Sequence, residues 1–169
     1  VCLSREEHNR VLLSDMDITL GTLDRYLGVF SDCDILDFTD NSDQLDSINI
    51  KDKCGQHSSG VFVMSRPTEF TDMSKITTQA VQSLLSHLKN VFNYIILDLS
   101  KSYTPLDQAC MSMADEILIV TQLDAFSLRN ANRLLITMSH RPHFEGKIKV
   151  IANQHHYSDD QPPVSYTHL

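Results

Sequence analysis

Three features of the 169-residue sequence predict an α/β fold, a mostly parallel sheet with helices on both faces in three α/β/α layers. Short apolar runs recur: "VLLS", "GVFVMS", "YIILDL", "EILIVT" and "KIKVIAN". Segments with apolar residues at helical spacing separate most of them. Two of the runs end at or beside an Asp. Continuous apolar strands alternating with amphipathic helices imply a parallel sheet buried on both sides. Right-handed crossovers then gather the C-terminal ends of the strands on one edge, where such sheets bind ligands.

The elements follow in order. Val11–Ser14 reads as a buried strand and Leu20–Val29 as a short amphipathic segment. Residues 31–59 are acidic and turn-rich, and suggest a short helix with a loop. Residues 60–65 form a second strand, closed by Pro67. The clearest helix follows Thr71 and Asp72 as cap candidates. Its apolar positions are Ile76, Ala80, Val81, Leu84, Leu85, Leu88, Val91 and Phe92. The strand at 94–99 ends near Asp98. "TPLD" at 104–107 starts a helix that runs to about Ala114. Thr104 caps it, Pro105 takes its first position, and Asp107 favours its positive end. A strand at 116–121, a helix at 126–138 ending before Pro142, and a strand at 147–153 complete the series.

Hydrophobic residues make up 41% of the chain and charged residues 21%, a globular composition. The net charge of −8 and the scattered Lys and Arg leave no basic patch, so no nucleic-acid binding is expected. No apolar run reaches the roughly 20 residues that cross a bilayer as a helix. Cys2, Cys33, Cys54 and Cys110 are too widely spaced for a zinc motif and read as thiols of a reducing compartment.

Asp15 and Asp17 share a face if their strand stays extended, and Asp98 ends another strand at the same edge. Three converging carboxylates repel unless a cation or a shared proton sits among them. Mg²⁺ with a bound phosphate is one solution. Capping of the following loops is the other. The pair His155 and His156, beside Tyr157 and Asp159, reads as a loop, and Arg129 and Arg133 as a solvated helix face.

"VLLSDMDITLGTLDRYLG", "YIILDLSKSYTPLDQACMSMADEILIVTQLDAFSLRNANRLL" and "KVIANQ" together resemble the MinD/ParA family of P-loop ATPases. Within that family they are most similar to the CpaE/TadZ branch, which serves Flp-type pili. The resemblance spreads over residues 3–155, and "ADEILIVTQLDAFSLRNANRLL" is its most specific stretch. It implies ATP and Mg²⁺ as cofactors. It implies Asp17 as the residue that orients the attacking water, Asp15 as support for the metal region, and Asp98 as a water-mediated Mg²⁺ ligand. Asn153 would read the adenine edge; a loop residue bonding its own backbone is the alternative for Asn153. A homodimer of the full-length protein and the pilus assembly machinery are the implied partners. The implied location is the cytoplasm, with recruitment to the inner membrane or pole.

Two departures accompany the resemblance. The Gly-rich loop K-G-G-x-G-K-[ST] is absent from the sequence, as is the family's first, central strand. The expectation is therefore a partial ATPase domain over 1–160, lacking its phosphate loop. The remaining 161–169 would be a disordered, adapter-derived tail. Asp98 is followed by "LSKS" where the family has Pro and Gly, which alters the nucleotide-sensing switch. A degenerate scaffold of the same fold is the alternative function.

Overall fold

The computed structural model describes residues 2–6, 8–31, 34–40, 47–67 and 76–154. They fall into two compact units that divide between Met113 and Ala114.

The first unit holds β1 (Val11–Asp15), α1 (Leu23–Leu27), α2 (Ile35–Asp40), α3 (Ser47–Lys53), β2 (Gly55–Gln56), β3 (Phe62–Met64), α4 (Thr78–Leu88), β4 (Tyr94–Asp98) and α5 (Pro105–Met113). Its sheet has the order β2-β3-β1-β4. β1 runs parallel to both β3 and β4, and only the short β2 is antiparallel. β1 is apolar because it is central: Val11 and Leu12, on opposite faces, are both buried. Leu12 and Met64 on one face join Phe38 of α2, Leu84 and Leu88 of α4 and Cys110 of α5 in one core.

The opposite face is uneven. Val11 and Val63 are buried there, whereas Tyr94 and Ile96 of β4 are 42% and 45% exposed. Burial on both sides, expected of every strand, therefore holds for β1 and not for β4. Among the described residues, β4 pairs with β1 alone.

The second unit holds β5 (Ile117–Thr121), α6 (Ala125–Ser139) and β6 (Ile148–Ala152). β5 and β6 pair in parallel, from Ile117 opposite Ile148 to Thr121 opposite Ala152. Burial alternates along β5: Ile117, Ile119 and Thr121 are buried, while Leu118 and Val120 are exposed. Asp124 caps α6 by accepting from the backbone N–H groups of Phe126 and Ser127. The Ser127 hydroxyl, and after it those two N–H groups, hold its carboxyl below the usual range.

Three sequence expectations change. The helix placed around Ile76–Phe92 is confined to α4 and is capped by Thr77, whose hydroxyl accepts from the Ala80 N–H. Thr71 and Asp72 lie outside the described residues. Ile76 precedes the helix, and Val91 and Phe92 follow it; all three are buried, so their apolar character reflects burial rather than helical register. Residues 31–59, read as a short helix with a loop, supply two helices and the antiparallel edge strand β2. The pair His155 and His156 and the tail 161–169 also lie outside the described residues. No helix among those described is long and apolar enough to cross a membrane.

Candidate functional site

The carboxyl ends of β1 and β4 meet in register, with Asp15 opposite Asp98. Register partners in a parallel pair point to the same face, so the two carboxylates leave the sheet together. The ladder continues one residue further, with the Met16 N–H donating to the Asp98 carbonyl at 2.9 Å. That bond carries the chain past the strand end and places Asp17 at the same rim. The three acidic residues thus gather at one edge of the first unit. Asp17 is half-buried and Asp98 exposed.

Asp15 differs from the other two. It is only 1% exposed, and its carboxylate is engaged by the loop that follows. The Asp17 N–H donates to Oδ1 at 3.2 Å and the Leu23 N–H to Oδ2 at 3.0 Å. Burial raises its pKa above the usual carboxylate value. The two N–H groups oppose that rise, and the neighbouring charges of Asp98 and Asp17 add to it. Asp15 is thus a carboxylate spent on backbone.

Asp17 begins a turn of its own. Its Oδ1 accepts from the Leu20 N–H at 3.1 Å, and its carbonyl accepts from the Gly21 N–H at 2.8 Å. The guanidinium of Arg66, just beyond β3, donates through Nε to the Gly21 carbonyl at 2.6 Å and through Nη1 to the Pro67 carbonyl at 2.8 Å.

The loop after Asp98 is held by a second buried carboxylate. Asp107, 1% exposed, accepts at Oδ1 from the Ser100 N–H at 3.1 Å. Its Oδ2 accepts from the Ser100 hydroxyl at 2.7 Å, the Thr104 N–H at 2.7 Å and the Thr104 hydroxyl at 2.8 Å. The Asp107 N–H donates back to Thr104 Oγ1 at 3.2 Å, which closes a capping box with aspartate in the acidic position. Tyr103 takes a left-handed backbone, φ 51°, to complete the loop. Lys101, within it, is exposed.

Asn153 belongs to the second unit. It follows β6 directly, its N–H donating to the Thr121 carbonyl at 2.8 Å and its Oδ1 accepting from the Gln154 N–H at 3.0 Å. The side chains of Gln122 and Gln154 bond across the same strand ends at 2.5 Å. Arg129 and Arg133 lie exposed on α6.

No group of three His, Cys, Asp or Glu among the described residues is arranged to hold a metal by itself. Mg²⁺ does not require one, because it keeps several waters and shares its shell between one or two carboxylates and substrate phosphates. Asp98, exposed at a strand end, suits a water-mediated contact of that kind. Asp15 is less suited, being buried with a backbone N–H on each oxygen. A phosphate cradle of the K-G-G-x-G-K-[ST] type is absent from the sequence. Gly21, Arg66 and Asp107 were not singled out as site residues by sequence. Gly21 lies six positions after Asp15, and it is the fold that brings the Asp15 carboxylate against it.

A parallel α/β sheet with acidic strand ends at one edge is a frame on which ligands bind beyond the carboxyl ends of the strands. The chain belongs to the AAA domain family, which it matches over residues 1–147, and its relatives include MinD and ParA proteins. It is 28% identical over 152 residues to the septum site-determining protein MinD of Synechocystis sp., covering 86% of this chain and 53% of that protein. Its fold matches that of a ParA family ATPase from Chlorobium tepidum with a TM-score of 0.81, at 29% identity over 89% of this chain and 63% of the other. It also matches the MinC:MinD cell division protein complex of Aquifex aeolicus with a TM-score of 0.68. There the identity is 22% over 89% of this chain and 59% of that one, a likeness of fold alone. The chain spans about half the length of the curated relatives it matches.

Proposed function

We propose that this chain carries the water-orienting and metal-holding carboxylates of a MinD/ParA-type ATPase. The observation that supports this most directly is the meeting of Asp15, Asp17 and Asp98 at one rim. Asp17 orients the attacking water and Asp98 holds Mg²⁺ through water. Phosphoryl transfer of this type asks the protein mainly for positioning and charge neutralisation. When bound, Mg²⁺ supplies the charge that offsets the phosphate oxygens. Asn153 reads the adenine edge. The phosphate grip belongs, in this proposal, to the length of the relatives that the chain does not match. ATP-dependent dimerisation rests on the resemblance to the MinD/ParA family, and a role beside the membrane in positioning or assembling Flp-type pili on the similarity to its CpaE/TadZ branch.

A scaffold without hydrolysis is favoured by one observation, the anchoring of "LSKS" to Asp107 in place of the family's Pro and Gly. Steady-state ATPase assays and fluorescent-nucleotide binding on the whole protein decide between the two. Asp17→Asn should lower kcat about 10²–10³-fold while nucleotide affinity changes little. Asp98→Asn should raise the Mg²⁺ concentration needed for half-maximal rate. Hydrolysis by Asp17→Asn at the wild-type rate would end the ATPase assignment of that residue. Tight nucleotide binding by wild-type protein without turnover would establish the scaffold.

A further inference from the structure

We infer that Asp15, Gly21 and Arg66 act together as a clamp that positions Asp17, with Asp15 a positioning residue rather than a ligand of metal or nucleotide. The inference rests on the assignment of Asp17 as the residue that orients water, and it accounts for how a loop can do so.

The segment from Met16 to Thr22 lies outside any strand or helix, so the direction of Asp17 depends on what holds its backbone. Three restraints act on it. From the strand side, Asp15 takes the Asp17 N–H and the Leu23 N–H on its two oxygens, tying the loop's entry to its exit. Within the loop, Asp17 receives the Leu20 N–H on Oδ1 and the Gly21 N–H on its carbonyl. From the β3 side, Arg66 fixes the Gly21 carbonyl. Carboxylate and guanidinium thus grip the loop through donors and acceptors respectively, without an ion pair between them.

Gly21 makes this possible by lacking a side chain. A Cβ there would stand 2.1 Å from Asp15 Oδ1 and 2.2 Å from Oδ2. The obstruction comes from a buried carboxylate already bonded on both oxygens, not from the end of a mobile chain. Any larger residue at 21 must therefore displace either the Asp15 carboxylate or the loop that it holds. A carboxylate so enclosed cannot also turn outward to a cation without releasing the loop.

The test is an NMR measurement on the full chain. It follows amide hydrogen exchange at Leu20, Leu23 and Leu12, together with the ¹³C signal of the Asp17 carboxyl group. Gly21→Ala and Asp15→Ala should each speed exchange at Leu20 and Leu23 roughly tenfold and shift the Asp17 signal. Leu12, buried within β1, should stay protected. The double variant should be no worse than Asp15→Ala alone, because both changes remove the same contact. Additive effects, or an Asp17 signal that stays put in every variant, would overturn the clamp. If Gly21→Ala does not fold, Asp15→Ala and Arg66→Met carry the test. Each must loosen Leu20 and shift Asp17 with Leu12 intact, and failure of either overturns the inference. The assignment of Asp17 stands or falls separately, on the turnover of Asp17→Asn in the whole protein.

Discussion

Asp107→Ala should destabilise the first unit by about 2–4 kcal/mol, and urea unfolding should show this as a lowered midpoint at unchanged slope. The wild-type carboxylate accepts four hydrogen bonds, two from Ser100 and two from Thr104. Hydrogen bonds to a charged acceptor contribute about 1.5–3 kcal/mol each in favourable cases, but four on one group do not add. Ser100 and Thr104 are only partly buried, so their released donors recover some hydration. The loss therefore stops well short of the sum. The methyl of alanine also leaves the Ser100 and Thr104 N–H groups facing a side chain that accepts nothing. Asp107→Asn is the informative companion. It keeps one acceptor oxygen and turns an amide donor toward existing donors, so its effect should fall between wild type and Asp107→Ala. A loss below about 1 kcal/mol in Asp107→Ala would mean that the loop is held by something other than this carboxylate. Because the loop starts immediately after Asp98, the same variant should release the backbone that aims the residue proposed to hold Mg²⁺.

The contrast between Asp107 and Asp98 shows what the sequence could convey. Both were visible as acidic residues near an element boundary. The spacing of "TPLD" identified the helix start, and with it the capping role of Thr104, because capping depends on neighbours within four residues. It did not reveal that Asp107 reaches back to Ser100, since a loop's path is not encoded in local spacing. Strand positions were legible in the same limited way. Apolar runs announced β1, β3, β4, β5 and β6, and each lies within a residue or two of its expected place. β2 escaped notice because a two-residue edge strand, "GQ", has no periodicity to detect. Val91 and Phe92 were absorbed into a helix because buried residues in a turn mimic one more helical repeat. At the site, β1 ends at Asp15, so the extended strand that parity required for Asp17 is replaced by a loop bonded to Asp15, and register sets Asp98 opposite Asp15. Their different fates, one carboxylate turned into the loop and one left at the exposed rim, depend on Gly21 and Leu23 approaching from beyond the strand. That information is tertiary.

Cys110 gives the fold a defined weakness toward alkali. The thiol lies on α5, is 1% exposed, and belongs to the same core as Leu12 and Leu84. Burial, and after it the negative charge of Asp107, pushes its pKa from 9.0 up to about 12. Below pH 9 the thiol is neutral in folded and unfolded chains alike and contributes no pH dependence. Above pH 9 the unfolded chain releases this proton while the folded chain retains it, so stability falls as pH rises. The slope approaches about 1.4 kcal/mol per pH unit, and the accumulated loss reaches about 4 kcal/mol near pH 12. Other groups titrate in the same range, so the comparison that isolates Cys110 is with Cys110→Ala. That variant starts less stable at neutral pH, through the lost packing of a buried sulfur, but it lacks the thiol's share of the alkaline slope. Urea midpoints from pH 8 to 11 should therefore converge for the two proteins. The same protonation should be visible chemically. At pH 8, iodoacetamide should modify exposed Cys2 and reach Cys110 only at the rate of unfolding, because the thiolate is the nucleophile and this site suppresses it. Parallel stability profiles for wild type and Cys110→Ala, or ready alkylation of Cys110 in the folded chain, would show that the α5 core admits solvent and that the thiol is not held neutral.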